Sequence, residues 1–257
     1  MDTYVESHQD NQLLAALTPN AFALMRPDLR SVSLKQGHEL YDPGDDIDQI
    51  YFPQSGLLSL VVVTKDGRFF ETSAVGRDGA VGLQAGLGPR RSFTGATVQI
   101  AGKFSVIPAD RFASIVQDDR TLRDLISRYI EVLWAEAQQI AACNAGHDAS
   151  ARLCRWLLQC ADRIGLDLVE LTQEFLAQML GARRTTVTPI GKIAAGAGRH
   201  QIPTRTYPDS RPGTPQALRV RVLPLHAIRK NWSDDYNPIE LRPWRCFIST
   251  YTTVTCS

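Results

Sequence analysis

The chain has 257 residues, 44% of them hydrophobic, enough to fill one large core or, as expected here, two modest ones joined by a connector. Its 28 basic and 27 acidic residues leave a formal net charge of +1, which excludes a global pull toward nucleic acid and requires any such surface to be a local patch. No stretch approaches the roughly 20 apolar residues that cross a bilayer, and the opening "MDTYVESHQDNQ" is too acidic and polar for a signal peptide, so no membrane role and a cytoplasmic location are expected.

Residues 12 to 26, "QLLAALTPNAFALMR", carry apolar side chains at helical intervals and meet a stop at Pro27, which predicts one small leading helix. From Ser31 to Pro108 the texture changes to short β-rich runs: "SVSL", "HELY", "QIYF", "LLSLVVV", "RFFETSAV", "ATVQI" and "KFSVI". Pro43-Gly44, Asp66-Gly67 and Asp78-Gly79 supply the turn residues between them, and the expectation is an antiparallel β-roll or sandwich. After Pro108, Leu122, Ile126, Tyr129, Leu133, Ala137 and Ile140 recur every three or four residues, the signature of a helix of about five turns with one apolar face. That face can lie on the roll or, with Tyr129 and Trp134 available, form a dimer seam.

The polar stretch "NAGHDAS", residues 144 to 150, predicts a hinge before "ARLCRWLLQCADRIG" resumes a helical face. His147 beside Asp148 is read as structural, because a catalytic pair needs a positioned nucleophile. The five cysteines, Cys143, Cys154, Cys160, Cys246 and Cys256, show no C-x-x-C spacing, so neither a disulfide framework nor a metal site is expected, and Cys154 and Cys160 read as small apolar core residues.

The segment "LTQEFLAQMLGARRTTVT", residues 171 to 188, carries the most specific signal. Leu176, Met179 and Leu180 make one apolar face, Ala177 allows close helix contact, Gly181 turns the chain, and Val187 and Ile190 resume a buried face. At about 100° per residue, turning Val187 and Ile190 inward turns Thr185 and Thr188 outward, with Arg184 flanking and Arg183 in the first turn. Arg184 can donate two hydrogen bonds to a guanine edge and threonine can bond a base or meet a thymine methyl, while Arg183 and Thr186 suit phosphates. A buried helical hairpin shares the apolar spacing but does not account for four consecutive polar residues from Arg183 to Thr186.

This segment resembles the helix-turn-helix of the Crp/Fnr family of bacterial transcription regulators. The resemblance extends upstream through "GHELYDPGDDIDQIYFPQSG", "DGRFFETSAVGRDGAVG" and the long helix, covering roughly residues 12 to 188. It implies an α+β chain: a cyclic-nucleotide-binding-like jelly roll over 12–117, a connecting dimerisation helix over 118–143, and a helix-turn-helix domain over 148–195, followed by an aberrant tail over 196–257. It implies double-stranded DNA, a second copy of the chain and RNA polymerase as partners, and Arg184, Thr185 and Thr188 match positions that face bases. Members that bind cyclic AMP use a Gly-Glu pair toward the ribose and an Arg-Ser pair toward the phosphate. Arg91-Ser92 fits the second and marks both as candidate effector-binding residues, but "GAVGLQAGLG" has no glutamate for the first. Members with an iron–sulfur cluster have cysteines near the N-terminus, and none precedes Cys143 here, so no cofactor is expected.

Pro189 falls about six residues into the recognition helix, where it lacks an N–H and clashes with the preceding turn, at a cost of about 3 kcal/mol. Beyond it, "AAGAGRHQIPTRTYPDSRPGTPQALRV" has neither helical nor strand periodicity, and the last 69 residues hold eight of the fourteen prolines. Residues 190 to 257 carry ten Lys or Arg against four Asp or Glu, which also suits a disordered basic tail. A more specific expectation comes from codon degeneracy. Codons for "YPDSRPG", read from their second base, can spell Thr-Arg-Ile-Leu-Asp-Arg, similar to the family's wing strand, and those for "RVRVLP" can spell Gly-Cys-Glu-Cys-Tyr, similar to its terminal helix. A reading-frame shift near residues 189 to 195 is therefore expected to have replaced the wing.

The function expected is a homodimeric regulator that reads the major groove under control of a signal at the roll. A ligand-sensing or protein-interaction module with impaired DNA binding is the alternative. An enzyme on a small β-barrel is disfavoured, because His8, His38, His147, His200 and His226 show no H-x-H or H-E-x-x-H spacing.

Overall fold

Seven strands form where period-two runs of β-branched and aromatic residues are punctuated by glycine and proline: β1 Arg30–Leu34, β2 Glu39–Tyr41, β3 Gln49–Pro53, β4 Leu57–Val63, β5 Phe69–Val75, β6 Gly95–Ile100 and β7 Gly102–Pro108. Each coincides with one of the seven runs read from the sequence. The computed structural model describes residues 8–65, 67, 69–88, 90–147, 149–165, 168–172, 204–205 and 217–221. They fall into two compact units, one of residues 8–62 and 72–140, the other of residues 63–71 and the described residues from 141 onward.

In the first unit the strands make two sheets, ordered β1-β7-β3 and β2-β6-β4-β5. The ladders of β7 with β1 and β3, and of β6 with β2 and β4, are antiparallel. Alternation turns Ile50, Phe52, Leu58, Val98 and Phe104 inward, joined by Ile47, Ile107 and Phe112 in one core. Each such side chain contributes roughly 1.5–3 kcal/mol of apolar burial. Two of the three turn pairs behave as their residues demand, since Gly44 and Gly67 both adopt positive φ, +99° and +77°. Gly79 is needed for a different reason, given below.

The leading helix predicted over 12–26 is instead two, α1 Gln12–Ala15 and α2 Pro19–Met25. Asn11 caps the first by accepting from Leu14 N, and Thr18 caps the second by accepting from Ala21 N. Pro19 cannot extend a helix from within but fits its first turn, so it starts α2. After the roll, α3 spans Ala109–Asp118 and α4 spans Arg120–Gly146. Extended Asp119 divides them, its carboxylate accepting from Leu122 N at 3.0 Å. The start of α4 is core, with Leu122, Leu125, Ile126 and Tyr129 all buried. Tyr129, offered by the sequence as a seam residue, is only 1% exposed, whereas Trp134 is 68% exposed.

The last turns of α4 run into the second unit and end at Gly146, inside the stretch 144 to 150 read as a hinge, and α5 spans Ala149–Ile164. Trp156, Gln159, Cys160, Arg163 and Ile164 of α5 are buried, and the Trp156 indole N–H donates to Glu71 Oε1 at 2.8 Å. Cys160 thus fits its expected core role; the Cys154 side chain lies outside the described residues. Three strands follow, β8 Leu168–Thr172, β9 Thr204–Arg205 and β10 Ala217–Arg221, ordered β8-β10-β9. Leu171 and Thr172, the first two residues of the segment read as a helix-turn-helix, close β8. The absence of strand periodicity asserted for the tail is also corrected at "ALRVR": Leu and Val alternate there with Arg, and Leu218 and Val220 stand in register with Leu171 and Val169.

Candidate functional site

The part of the roll that could receive a signal is a 3-10 turn, Leu83–Gly86, together with the loop from Gly76 that leads into it and the segment from Arg90 to Gly95. The leading loop is fastened from several sides. Asn11, fully buried, donates through Nδ2 to Gly79 O at 2.8 Å and to Pro53 O at 2.9 Å. Tyr51 and Val81 exchange backbone hydrogen bonds of 3.0 and 2.9 Å. From α4, the Tyr129 hydroxyl accepts from Ala80 N at 3.3 Å. The Tyr129 ring fills the space where a Cβ on residue 79 would stand, with Cε2 2.5 Å from that point. Only glycine fits there.

Arg91 and Ser92, the candidate effector-binding pair, lie on the facing segment, and Ser92 is brought together with two residues that no sequence motif marks, Tyr41 and Gln84. Ser92 is 2% exposed and held through its backbone, donating to Asp45 O and accepting from Gly44 N, both at 2.8 Å. Its Oγ donates to Thr94 O at 2.7 Å and accepts from Thr94 N at 3.3 Å, so the hydroxyl serves its own turn. Arg91 is exposed, with its guanidinium Nη2 3.7 Å from where a Cβ on Gly44 would lie. The neighbouring Arg90 is occupied by Asp48, Asp110 and the Ile47 carbonyl. Its carboxylate partners are exposed, so these pairs fix geometry more than they add stability.

Tyr41 and Gln84 complete the cluster. Tyr41 ends β2 with its side chain turned inward, 7% exposed, and its hydroxyl faces the side chains of Gln84 and Ser92 without an aligned hydrogen bond to either. Burial pushes the phenol well above the ordinary tyrosine range. Leu83 occupies the turn position after Gly82 and packs into the core among Leu13, Met25, Phe52 and Phe112, where it supplies no hydrogen-bonding group. Alternation in "HELY" could have identified Tyr41 as an inward residue; nothing in the sequence joins it to Gln84. At the rim, Phe93 is 91% exposed.

The candidate DNA-contacting residues, Arg183, Arg184, Thr185, Thr186 and Thr188, lie outside the described residues. Among the described residues no group of His, Cys, Asp and Glu could hold a metal ion, and no helix is long and apolar enough to cross a membrane.

A two-sheet roll with a fastened turn and an Arg-Ser segment, then a long helix, defines a chain built around a cyclic-nucleotide-binding-type domain. The cyclic nucleotide-binding domain family matches residues 31–119, and the Crp-like helix-turn-helix domain family matches residues 151–192. The chain is 24% identical over 182 residues to the CRP-like cAMP-activated global transcriptional regulator of Mycobacterium tuberculosis, covering 68% of this chain and 81% of that one. It shares its fold with FixK2 from Bradyrhizobium japonicum, at TM-score 0.62 and 14% identity, covering 81% of this chain and 99% of that one. The c-di-GMP responsive global regulator CLP of Xanthomonas campestris gives TM-score 0.61 at 14% identity, covering 80% of this chain and all of that one. The chain belongs to the Crp/Fnr family and is a DNA-binding transcription regulator.

Proposed function

We propose that the chain works as a homodimer, joined along α4, whose two recognition helices enter successive major grooves roughly 34 Å apart under control of a signal received at the roll. The observation that carries this reading is the helix-turn-helix match over residues 151–192, which takes in Arg183, Arg184, Thr185, Thr186 and Thr188. Arg184, Thr185 and Thr188 read base edges; Arg183 and Thr186 hold phosphates. In support of the seam, α4 has 27 residues, about 40 Å of helix, and exposes Trp134 together with Ala135, Ala141, Ala142 and Ala145. The work is done by binding: the chain catalyses no reaction, acts in the cytoplasm, and addresses RNA polymerase from its place on DNA.

The reading element is also cut short. The frame shift expected near residues 189 to 195 is supported by the end of the helix-turn-helix match at residue 192, three residues beyond Pro189. On this reading the tail that carries β9 and β10 replaces the wing and last helical turn of the correct frame, and a small helical unit has little stability to spare. It binds its operator weakly, and a frame-corrected chain binds with an affinity that falls steeply with salt. The test is a selection from random-sequence duplexes using the frame-corrected chain and its Arg184→Ala variant. A common sequence lost in the variant supports the reading; equal enrichment by both contradicts it.

A further inference from the structure

The Mycobacterium relative is cAMP-activated by its printed name, and the obvious transfer would give this roll a cyclic nucleotide. The residues present do not fit one. The phosphate of such a ligand needs a free hydroxyl and a convergent guanidinium, yet Ser92 Oγ is engaged by Thr94 on both its donor and acceptor sides, and Arg91 lies exposed over Gly44. Where cyclic-AMP-binding members direct a glutamate at the ribose, this chain has Leu83, packed into the core. The buried Tyr41 phenol, which comes from β2, lies beside Gln84 and Ser92.

We infer that Tyr41 is the resident occupant of the roll's cradle, closing it between Gln84 and Ser92, so that the roll admits no cyclic nucleotide and answers to another signal. The inference rests on reading the roll as the signal-receiving domain and is independent of the helix-turn-helix. Two features work together. Tyr41 is held in register by its ladder with β6, opposite Ala96, with its side chain on the buried face. Its ring joins Ile47, Val98 and Phe104 in the core, so displacing it would expose apolar surface. A nucleotide would therefore have to unpack the roll before meeting any charged partner inside it, and the differential binding needed to shift that equilibrium is missing.

The test titrates the full chain with cyclic AMP and cyclic GMP, following thermal unfolding and the amide resonances of Gln84 and Ser92. A site of Kd about 10 µM would raise the unfolding temperature by several degrees at about 1 mM ligand. The expected result is no saturable change in either signal. Saturable movement of the Gln84 and Ser92 amides with either nucleotide overturns the inference. In a second arm, Tyr41→Ala is titrated with p-cresol, whose ring and hydroxyl match the deleted group. Recovery of unfolding temperature, with the Gln84 and Ser92 amides returning toward their wild-type positions, is expected. Failure of p-cresol to move those two amides overturns the placement of the phenol. If Tyr41→Ala does not fold, Tyr41→Leu serves in the nucleotide arm, where the wild-type result already decides.

Discussion

Gly79 and Tyr129 make the sharpest structural prediction. A methyl group added at residue 79 would overlap the Tyr129 hydroxyl and Cζ and come within 2.5 Å of Cε2, far inside ordinary contact. The far end of a side chain can sometimes move aside, but Tyr129 is only 1% exposed and its hydroxyl accepts from Ala80 N. Gly79→Ala must push the ring out of a packed core and strand the Ala80 amide. Overpacking costs about 1–3 kcal/mol and a stranded buried donor about 1–3 kcal/mol, so roughly 3 kcal/mol in all is expected. For a unit of this size that lowers the midpoint of thermal unfolding, followed by circular dichroism, by about 10 °C or more. The cause is separable in a double-mutant cycle. In a Tyr129→Ala background the added methyl meets empty space, and its cost should fall below about 1 kcal/mol, a coupling of about 2 kcal/mol. An equal cost in both backgrounds would refute the reasoning, because the damage would then come from the backbone at residue 79.

Tyr41→Phe should leave thermal stability unchanged or raise it by about 1 kcal/mol, since its buried hydroxyl lacks an aligned partner; a loss above about 1 kcal/mol would mean that the hydroxyl is bonded. Because burial raises the Tyr41 phenol above its unfolded value, folding keeps the full benefit below about pH 10 and loses it as pH rises above that. Tyr41→Phe should thus flatten the alkaline decline in unfolding temperature, and an unchanged pH profile would contradict this. Trp156→Phe removes a hydrogen bond to a carboxylate and should cost about 2 kcal/mol, while Glu71→Gln keeps an acceptor oxygen and should cost less than about 1 kcal/mol; equal losses by chemical denaturation would argue against that bond. Trp134→Glu on the exposed face of α4 should shift sedimentation from dimer to monomer without changing the roll's unfolding, and a dimer of unchanged affinity would remove α4 as the seam.

The roll was legible because its signals are local. Each strand carries its own period-two run, and Gly44 and Gly67 mark their turns directly. The leading helix reads as one in the sequence because its apolar spacing runs on through Thr18-Pro19, where capping chemistry outweighs periodicity. Tyr129 reads as a seam residue because periodicity gives α4 one continuous apolar face, and only the tertiary fold puts the start of that face in the core. The cradle is half legible: Arg91 and Ser92 stand out as a pair, but Tyr41 lies far before Gln84 and Ser92 in the chain and meets them only in the folded roll. That Ser92 spends its hydroxyl on Thr94 is also invisible to a motif. In the tail, the five residues of "ALRVR" are too short a window to stand out against a background rich in proline.

The most direct test of the account compares this chain with a frame-corrected one on the duplex selected by the latter, measuring fluorescence anisotropy between about 50 and 200 mM salt. The corrected chain should bind with an affinity that drops by orders of magnitude across that range, and the present chain should bind at least about tenfold more weakly throughout. Equal affinity and equal salt dependence for the two would contradict the claim that the reading element is cut after Thr188.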